Sequence, residues 1–495
     1  MAPLNAETLP SVSVPKPTYD RSRLRTGIVH FGVGGFHRAH QAMYLDRLMD
    51  EGKALDWAIC GVGVMPFDRR MQEALDAQDG LYTLVVKHAD GRFEPRVIGS
   101  ITGFLLAPEE PGAVVAATAD PRVRIVSLTV TEGGYNLNDV TGEFEARNPD
   151  VVHDLEPGAA PRTTFGLVVE ALRVRRERGV PAFTVMSCDN LQGNGHLSRR
   201  VFAAFARLRD PELGDWVERE VRFPNSMVDR ITPQTTDADR EEVAARFGIG
   251  DAWPVVCEPF TQWVLEDDFG AGRPSFERVG VQVVADVEPY ELMKLRLLNA
   301  SHQGIAYFGH LCGYRLVHDA AQDPLFRDFL LGYMDEEAGP TLAPVPGVDL
   351  DDYKRTLIER FSNPEVRDTI ARLAAESSDR IPKWLLPVVR AQLADGGPIT
   401  RSAAIVASWA RYAEAVDEHG EPIEIVDRVA ERVKAAARRQ RDDPTAFIQD
   451  RELFGDLADD HRFVSAYTDA LDSLHQRGAR ATLQAIVATG TARDG

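Results

Sequence analysis

After an irregular arm rich in Pro and Ser (residues 1–24), the first patterned stretch is a short apolar run, TGIVHFG. Its length and β-branched content predict a buried strand. A glycine cluster follows, then a helix-period stretch, HRAHQAMYLDRLMDEG, then a second apolar run, DWAICGVGV (56–64). Strand, glycine turn, helix, strand is the opening of a doubly wound sheet. Further strands are predicted at LYTLVVKH (81–88), VRIVSLTVT (123–131), PAFTVMSCD (181–189) and GVQVVADV (280–287). Helical patterns such as TTFGLVVEALRVRRERG (163–179) separate several of them. Residues 1–285 therefore read as an α/β domain with a largely parallel sheet.

Beyond Pro289 the period changes from two to that of helices. ELMKLRLLNASHQGIAYFGHL, DYKRTLIERF, PEVRDTIARLAAE, SAAIVASWARYAEAVDEHG and DRVAERVKAAARRQ follow one another, and strand signals become scarce. Residues 286–495 read as a second, mostly α-helical domain.

Composition narrows the class. The chain has 495 residues, 44% hydrophobic and 27% charged, as in ordinary globular proteins of two or three domains. A net charge of −20 weighs against a nucleic-acid partner. The densest basic stretch, ERVKAAARRQRDD (431–443), carries acids at both ends and reads as a solvated helix face. Cys60, Cys188, Cys257 and Cys312 form no C-x-x-C pair, which fits a reducing compartment rather than a disulfide framework. No apolar core of signal-peptide length opens the chain, and no window reaches the ~18 uninterrupted apolar residues of a membrane span. A cytoplasmic location without a membrane partner is expected.

The turn after the first strand is GVGGFHR, with Gly32, Gly34, Gly35 and Phe36. Glycines there permit a tight turn and close approach of backbone N–H groups to a pyrophosphate. The third glycine of G-x-G-x-x-G is replaced by His37. Asp68, just past the second strand, suits the ribose hydroxyls of NAD and would repel a 2′-phosphate. Arg69 and Arg70 argue for NADP, and Asp68 has a competing role as a helix cap. Two other strand ends are polar and glycine-rich: TVTEGGYN with Thr131 and Glu132, and MSCDNLQGNG with Asp189 and Asn190. Two such ends in one sheet suggest a ligand crevice, although either reads equally as a turn.

The stretch EPYELMKLRLLNASHQGIAYFGHL (288–311) places Glu291, Lys294, Asn299 and His302 on one predicted helix. At ~100° per residue, Lys294 lies about 60° from Glu291, about 80° from His302 and about 140° from Asn299, too wide a spread for one strict face. Burying such residues in an apolar run is expensive without a role. Together they suit oxidation of a secondary alcohol. A lysine whose pKa falls from ~10.4 toward neutrality takes the hydroxyl proton. Amides of Asn299 and Asn190 steady the developing oxyanion. His302 binds the same oxygen or a neighbouring hydroxyl, and Glu291 relays the proton to water. His310 and Cys312 lack the further ligands a zinc site needs and read as packing.

With these motifs the chain resembles the polyol-specific long-chain dehydrogenases and reductases over essentially its whole length. The resemblance rests on GIVHFGVGGFHRAHQA, TVTEGGYN, SCDNLQGNG, FPNSMVDRITP and above all KLRLLNASHQ, the family's Lys-x4-Asn-x2-His signature. It implies a Rossmann-type NAD-binding domain (1–285), a helical substrate domain (286–495) and an active site between them. It implies Lys294 as general base, Asn190 and Asn299 as oxyanion stabilisers, His302 positioning substrate, and Glu291 gating proton exit. Asp229 would contact a substrate hydroxyl, its alternative being a local pair with Arg230. The implied reaction turns a sugar alcohol into a ketose, mannitol to fructose foremost, without zinc, in a monomer, with a dimer left open. Relatives carry Arg-x2-His-x4-Lys in the substrate pocket. Here Arg372 matches, Ala375 replaces the histidine and Arg380 the lysine, with Lys383 as a substitute or a surface residue. D-Arabinitol, sorbitol and a uronate such as fructuronate therefore stay open.

Two rival readings remain. Tyr290-x3-Lys294 matches the Tyr-x3-Lys pair of short-chain dehydrogenases, in which tyrosine is the acid/base, although this chain is far longer than that class. A non-catalytic nucleotide-binding module is the alternative of another kind.

Overall fold

The computed structural model describes residues 3–137 and 143–491. The chain divides into two compact units, Met1–Glu288 and Pro289–Gly495. Each is described by itself.

The first unit carries eleven strands among its described residues. They are β1 (Thr26–Phe31), β2 (Ala58–Gly63), β3 (Tyr82–Lys87), β4 (Phe93–Ile98), β5 (Ile101–Leu106), β6 (Ile125–Leu128), β7 (Thr184–Ser187), β8 (Ser226–Asp229), β9 (Val255–Cys257), β10 (Gln262–Glu266) and β11 (Gln282–Val284). The central sheet runs β5-β2-β1-β6-β7, with every pair parallel. The chain steps outward from β1 to β2 and β5, then returns to the other side of β1 with β6 and β7. The order thus reverses between β1 and β6, the switch point at which doubly wound sheets open a ligand crevice. Both faces are buried, as a parallel sheet requires. Ile28, Ile59 and Ile125 join one apolar cluster, and their neighbours Val29, Phe31, Val126 and Leu128 join another.

Two predicted strands lie elsewhere. LYTLVVKH becomes β3, which pairs antiparallel with β4 and parallel with β9 in a separate sheet. GVQVVADV yields only the short edge strand β11 in a β11-β10-β8 sheet. The outer central strand is instead β5, ITGFLL, whose Thr102 and Gly103 interrupt the apolar run. An apolar run of this length announces burial, not which sheet it joins. The helix after β1 is also two pieces, Gly35–Ala39 and Gln41–Asp50, broken at His40 (φ −126°, ψ −97°). The N-terminal arm is irregular but packed: Leu4, Leu9, Val12 and Val14 cluster with Val85, Val97 and Ile249.

The second unit is helical, with no strand among its described residues. The helix Thr400–Tyr412 is buried nearly all round, the signature of a core helix. Its first backbone N–H groups, Arg401 and Ser402, donate to the buried Glu337 carboxyl at 2.6 and 2.7 Å. Burial nevertheless pushes that carboxyl up to about 7. Among the described residues no helix is long and apolar enough to cross a membrane.

Candidate active site

In the first unit the glycine turn lies at the carboxyl end of β1. Gly32 sits at φ +88°, and a Cβ there would fall 2.1 Å from the Thr129 carbonyl oxygen, so only glycine fits. Gly34 and Gly35 begin the short helix, and a Cβ on Gly34 would meet nothing within 4 Å. That open space is what a close-approaching pyrophosphate needs. Phe36 stacks on His40 with ring centroids 4.8 Å apart.

Asp68 Oδ2 accepts the backbone N–H groups of Val64 and Met65 at 2.9 Å each. The carboxylate thus holds the turn that precedes it and makes no side-chain cap on the helix Arg69–Ala77. Among the described residues its second oxygen accepts no hydrogen bond. Arg69 is taken up by an ion pair with Glu109. Past β6, Thr131 is strained at φ +62°. Asp189 accounts for this: its carboxylate accepts Thr131 N–H at 2.8 Å, Val130 N–H at 3.2 Å and the Tyr135 hydroxyl at 2.8 Å. Glu132 opens the turn Glu132–Tyr135, but its side chain lies outside the described residues.

Asn190 is exposed directly after Asp189, and Asp229 is buried at the end of β8. Asn194 links the two stretches. Its Nδ2 donates to the Asp189 carbonyl at 3.0 Å and the Ser226 carbonyl at 2.7 Å, while its Oδ1 accepts Ser226 N–H at 3.0 Å. Sequence reasoning passed over Asn194 because an asparagine between two glycines reads as a turn. Arg230 donates to the carbonyls of Ala39 and Glu258 and is committed to backbone.

In the second unit the predicted single helix is three segments: α-helical Glu288–Met293, π-helical Lys294–Asn299 and α-helical Ala300–Leu311. Bonding from i to i+5 widens the turn, so Lys294 and Asn299, five apart, come nearer one face than the ~140° of a regular α-helix allows. The Tyr333 hydroxyl, donating to the Arg296 carbonyl at 3.0 Å, props the widened turn. Glu291, Lys294, Asn299 and His302 are all buried. Among the described residues Asn299 Nδ2 and His302 Nε2 have no hydrogen-bond partner. Two buried orphan groups one turn apart are what a site awaiting a polar ligand presents. Burial, then the charges of Arg372, Arg360, Arg380 and Lys294, hold the His302 ring well below the usual imidazole range. It is therefore neutral.

Arg372 forms a bidentate pair with Asp368, with Nε–Oδ1 at 2.6 Å. Arg380 Nη1 donates to the Arg372 and Leu373 carbonyls at 3.0 Å each. Lys383 is a half-exposed partner of Asp379, and Ala375 ends the helix Ile370–Ala374. The Tyr290 hydroxyl donates to the Pro346 carbonyl at 2.7 Å, which counts against a tyrosine acid/base. A groove of about 720 Å³ lined by Thr400, Arg462, Ser473 and Ile486, among others, holds none of these residues. Among the described residues no three His, Cys, Asp or Glu side chains are placed to hold a metal ion.

A doubly wound sheet with a glycine turn at its switch point, followed by a helical unit with a buried lysine–asparagine–histidine set, is the architecture of a Rossmann-type dehydrogenase. Sequence comparison gives the family. Residues 26–278 match the mannitol dehydrogenase Rossmann domain and residues 286–475 the mannitol dehydrogenase C-terminal domain. The chain belongs to the mannitol dehydrogenase family. It is 47% identical over 498 aligned positions to mannitol 2-dehydrogenase of Aspergillus fumigatus, covering 98% of this chain and 99% of that one. The enzyme of the same name from Pyricularia oryzae is 45% identical, with 98% of each chain covered. Its fold superposes on Pseudomonas fluorescens mannitol 2-dehydrogenase, solved as a ternary complex with NAD and D-mannitol, with TM-score 0.92, 46% identity and coverage of 98% and 99%. A substrate-free D-sorbitol dehydrogenase superposes with TM-score 0.87, 38% identity and coverage of 97% and 100%.

Proposed function

We propose that this protein oxidises a secondary hydroxyl of a sugar alcohol to the ketose with NAD, mannitol to fructose being the favoured pair. The observation that carries the reading is the buried set Lys294, Asn299 and His302, in which Asn299 Nδ2 and His302 Nε2 have no hydrogen-bond partner among the described residues. The domain of residues 1–285 binds the dinucleotide: Gly32 and Gly34 cradle its pyrophosphate, with Gly35, Phe36, Thr131 and Glu132 around it. The unengaged oxygen of Asp68 accepts its ribose hydroxyls. Arg69 is paired with Glu109 in an exposed contact that a 2′-phosphate could displace, so the preference for NAD rests on Asp68. When bound, NAD supplies the hydride acceptor.

In the domain of residues 286–495, Lys294 takes the proton of the reacting hydroxyl as the carbinol C–H hydride leaves. Asn299 Nδ2 donates to the oxygen as charge grows on it, and the Asn190 amide is assigned the same task. Neutral His302 holds the same oxygen or its neighbour. Glu291 passes the proton on to solvent. Asp229 accepts from a further hydroxyl, and Arg372 and Arg380 shape the far end. No residue assigned here requires zinc.

One observation favours a second substrate class. Arg360, Arg380 and Lys294 stand close enough to disfavour a charged His302, with Arg372 beside them already paired to Asp368, and cations there suit a sugar acid such as fructuronate. An NAD-coupled screen of mannitol, sorbitol, D-arabinitol and mannonate, repeated with NADP, separates the readings. Mannitol turnover with NAD supports the first, and turnover confined to mannonate replaces it with the second. NADH binding without turnover of any of them makes the protein a nucleotide-binding module.

A further inference from the structure

The glycine turn lacks the third glycine that lets helix and strand pack closely, and the structure shows what replaces it. His37 lies flat on His30 of β1, with ring centroids 3.5 Å apart and planes 9° from parallel. His30, His37, Gln41 and Ser127 are all fully buried. His30 Nδ1 lies 2.8 Å from Ser127 Oγ, and Nε2 lies 3.0 Å from Thr129 Oγ1 and 3.3 Å from the Gly32 carbonyl. Thr129 Oγ1 lies 2.6 Å from that same carbonyl. Gln41 Oε1 lies 3.0 Å from Ser127 Oγ. Among the described residues three atoms here lack a well-formed hydrogen bond, both ring nitrogens of His37 and Gln41 Nε2, although the His37 ring and the Gln41 amide lie within reach of each other.

Proton bookkeeping resolves this. Two oxygens 2.6 Å apart need a proton between them, and a carbonyl has none, so the Thr129 hydroxyl donates to Gly32. Its oxygen must then accept, and the donor is His30 Nε2–H. His30 Nδ1 is therefore an acceptor, and Ser127 donates to it. Ser127 can no longer donate to Gln41. The two ends of the Gln41 amide are isosteric, and turning it over puts Nε2 against Ser127 and Oε1 toward His37. Every orphan but one ring nitrogen then has a partner.

We infer that His37, Gln41, Ser127, His30 and Thr129 form a one-way chain of neutral hydrogen bonds that ends on the Gly32 carbonyl and positions the glycine turn for a dinucleotide pyrophosphate. Each member donates to the next, so the turn is held from beneath by a network in place of the missing glycine. The chain requires uncharged rings. Burial drives His30 down to about 3, and burial with His30, Arg38 and His40 alongside drives His37 well below its ordinary value. The inference rests on the NAD reading, and its five residues are positioning residues rather than catalytic ones.

Two measurements on the full chain test it. Long-range ¹H–¹⁵N correlation of histidine-labelled protein at pH 7 is expected to show His30 protonated on Nε2 alone. A proton on Nδ1 overturns the inference. Fluorescence titration with NADH is expected to give a Kd about tenfold weaker for Thr129→Val, which removes both the donor to Gly32 and the acceptor for His30, with kcat at saturating NAD little changed. Thr129→Ser keeps the hydroxyl and is expected to bind like wild type. Equal binding by all three proteins, or a serine variant as weak as the valine one, overturns it. Wild type that binds no NADH sinks the cofactor reading instead, and the tautomer spectrum then decides the chain alone.

Discussion

At the scale of single residues, the polar side chains that interrupt the apolar run after Pro289 were readable because burying them without purpose is costly. Lys294, Asn299 and His302 are indeed buried. Asn194 and Asp189 were harder: their work is to join backbone segments distant in sequence, and nothing local announces it. Asp68 had two readings, and the structure gives it a third, holding Val64 and Met65 in the turn before it. One substitution separates the lysine from its tyrosine neighbour, and another tests the oxyanion role. Tyr290→Phe loses only the bond to the Pro346 carbonyl, and is expected to keep near-wild-type kcat with a stability loss of about 1 kcal/mol. Asn299→Ala is expected to lower kcat about 10²–10³-fold with the fold intact. A silent Asn299→Ala in steady-state assays removes the oxyanion role.

At the scale of elements, helices were read from period and strands from apolar runs, and each signal ran out at a definite place. The 288–311 run carries no proline or glycine at the point where it widens into a π turn, so a regular α period was the natural reading. What props the turn is a distant hydroxyl, Tyr333, invisible in the local pattern. Likewise β3 and β5 compete for the sheet edge, and pairing, not composition, decides between them. The glycine turn after β1 was legible because its φ demands glycine. Gly32→Ala forces a Cβ against the Thr129 carbonyl in a left-handed backbone, at a cost of about 1–3 kcal/mol. It is expected to lower Tm and to weaken NADH binding in titration. An unchanged Kd would free the turn of any cofactor role.

At the scale of the molecule, the change of character near Pro289 and the α/β-then-helical order were plain from patterning, since the two kinds of period do not mix. Stability against pH was not, because it depends on which titratable groups end up buried. His30, His37 and His302 are held neutral in the folded chain, with values far below that of an unfolded histidine. Below pH ~6.5 the unfolded chain takes up protons that the folded one refuses, so each ring removes about 1.4 kcal/mol per pH unit as pH falls toward its folded value. Glu337, raised to about 7, acts in the opposite sense and loses its contribution as pH rises from ~4.5 through 7. Burial also lowers His88 and His310 and raises Asp46, Asp76 and Asp251, but from pH 7 to 5.5 it is the histidines of the unfolded chain that take up protons, so acid is the destabilising direction. Melting curves are expected to show Tm falling from pH 7 to 5.5, with a shallower fall in His37→Phe. A Tm that holds or rises over that range would mean the rings are charged in the folded protein.

The most direct test of Lys294 as the base is NAD-coupled mannitol oxidation by wild type and Lys294→Ala, with and without added methylamine. Loss of about 10²–10⁴-fold in kcat, partly restored by the amine, is the expected result. Turnover in Lys294→Ala equal to wild type, with no response to amine, would contradict it.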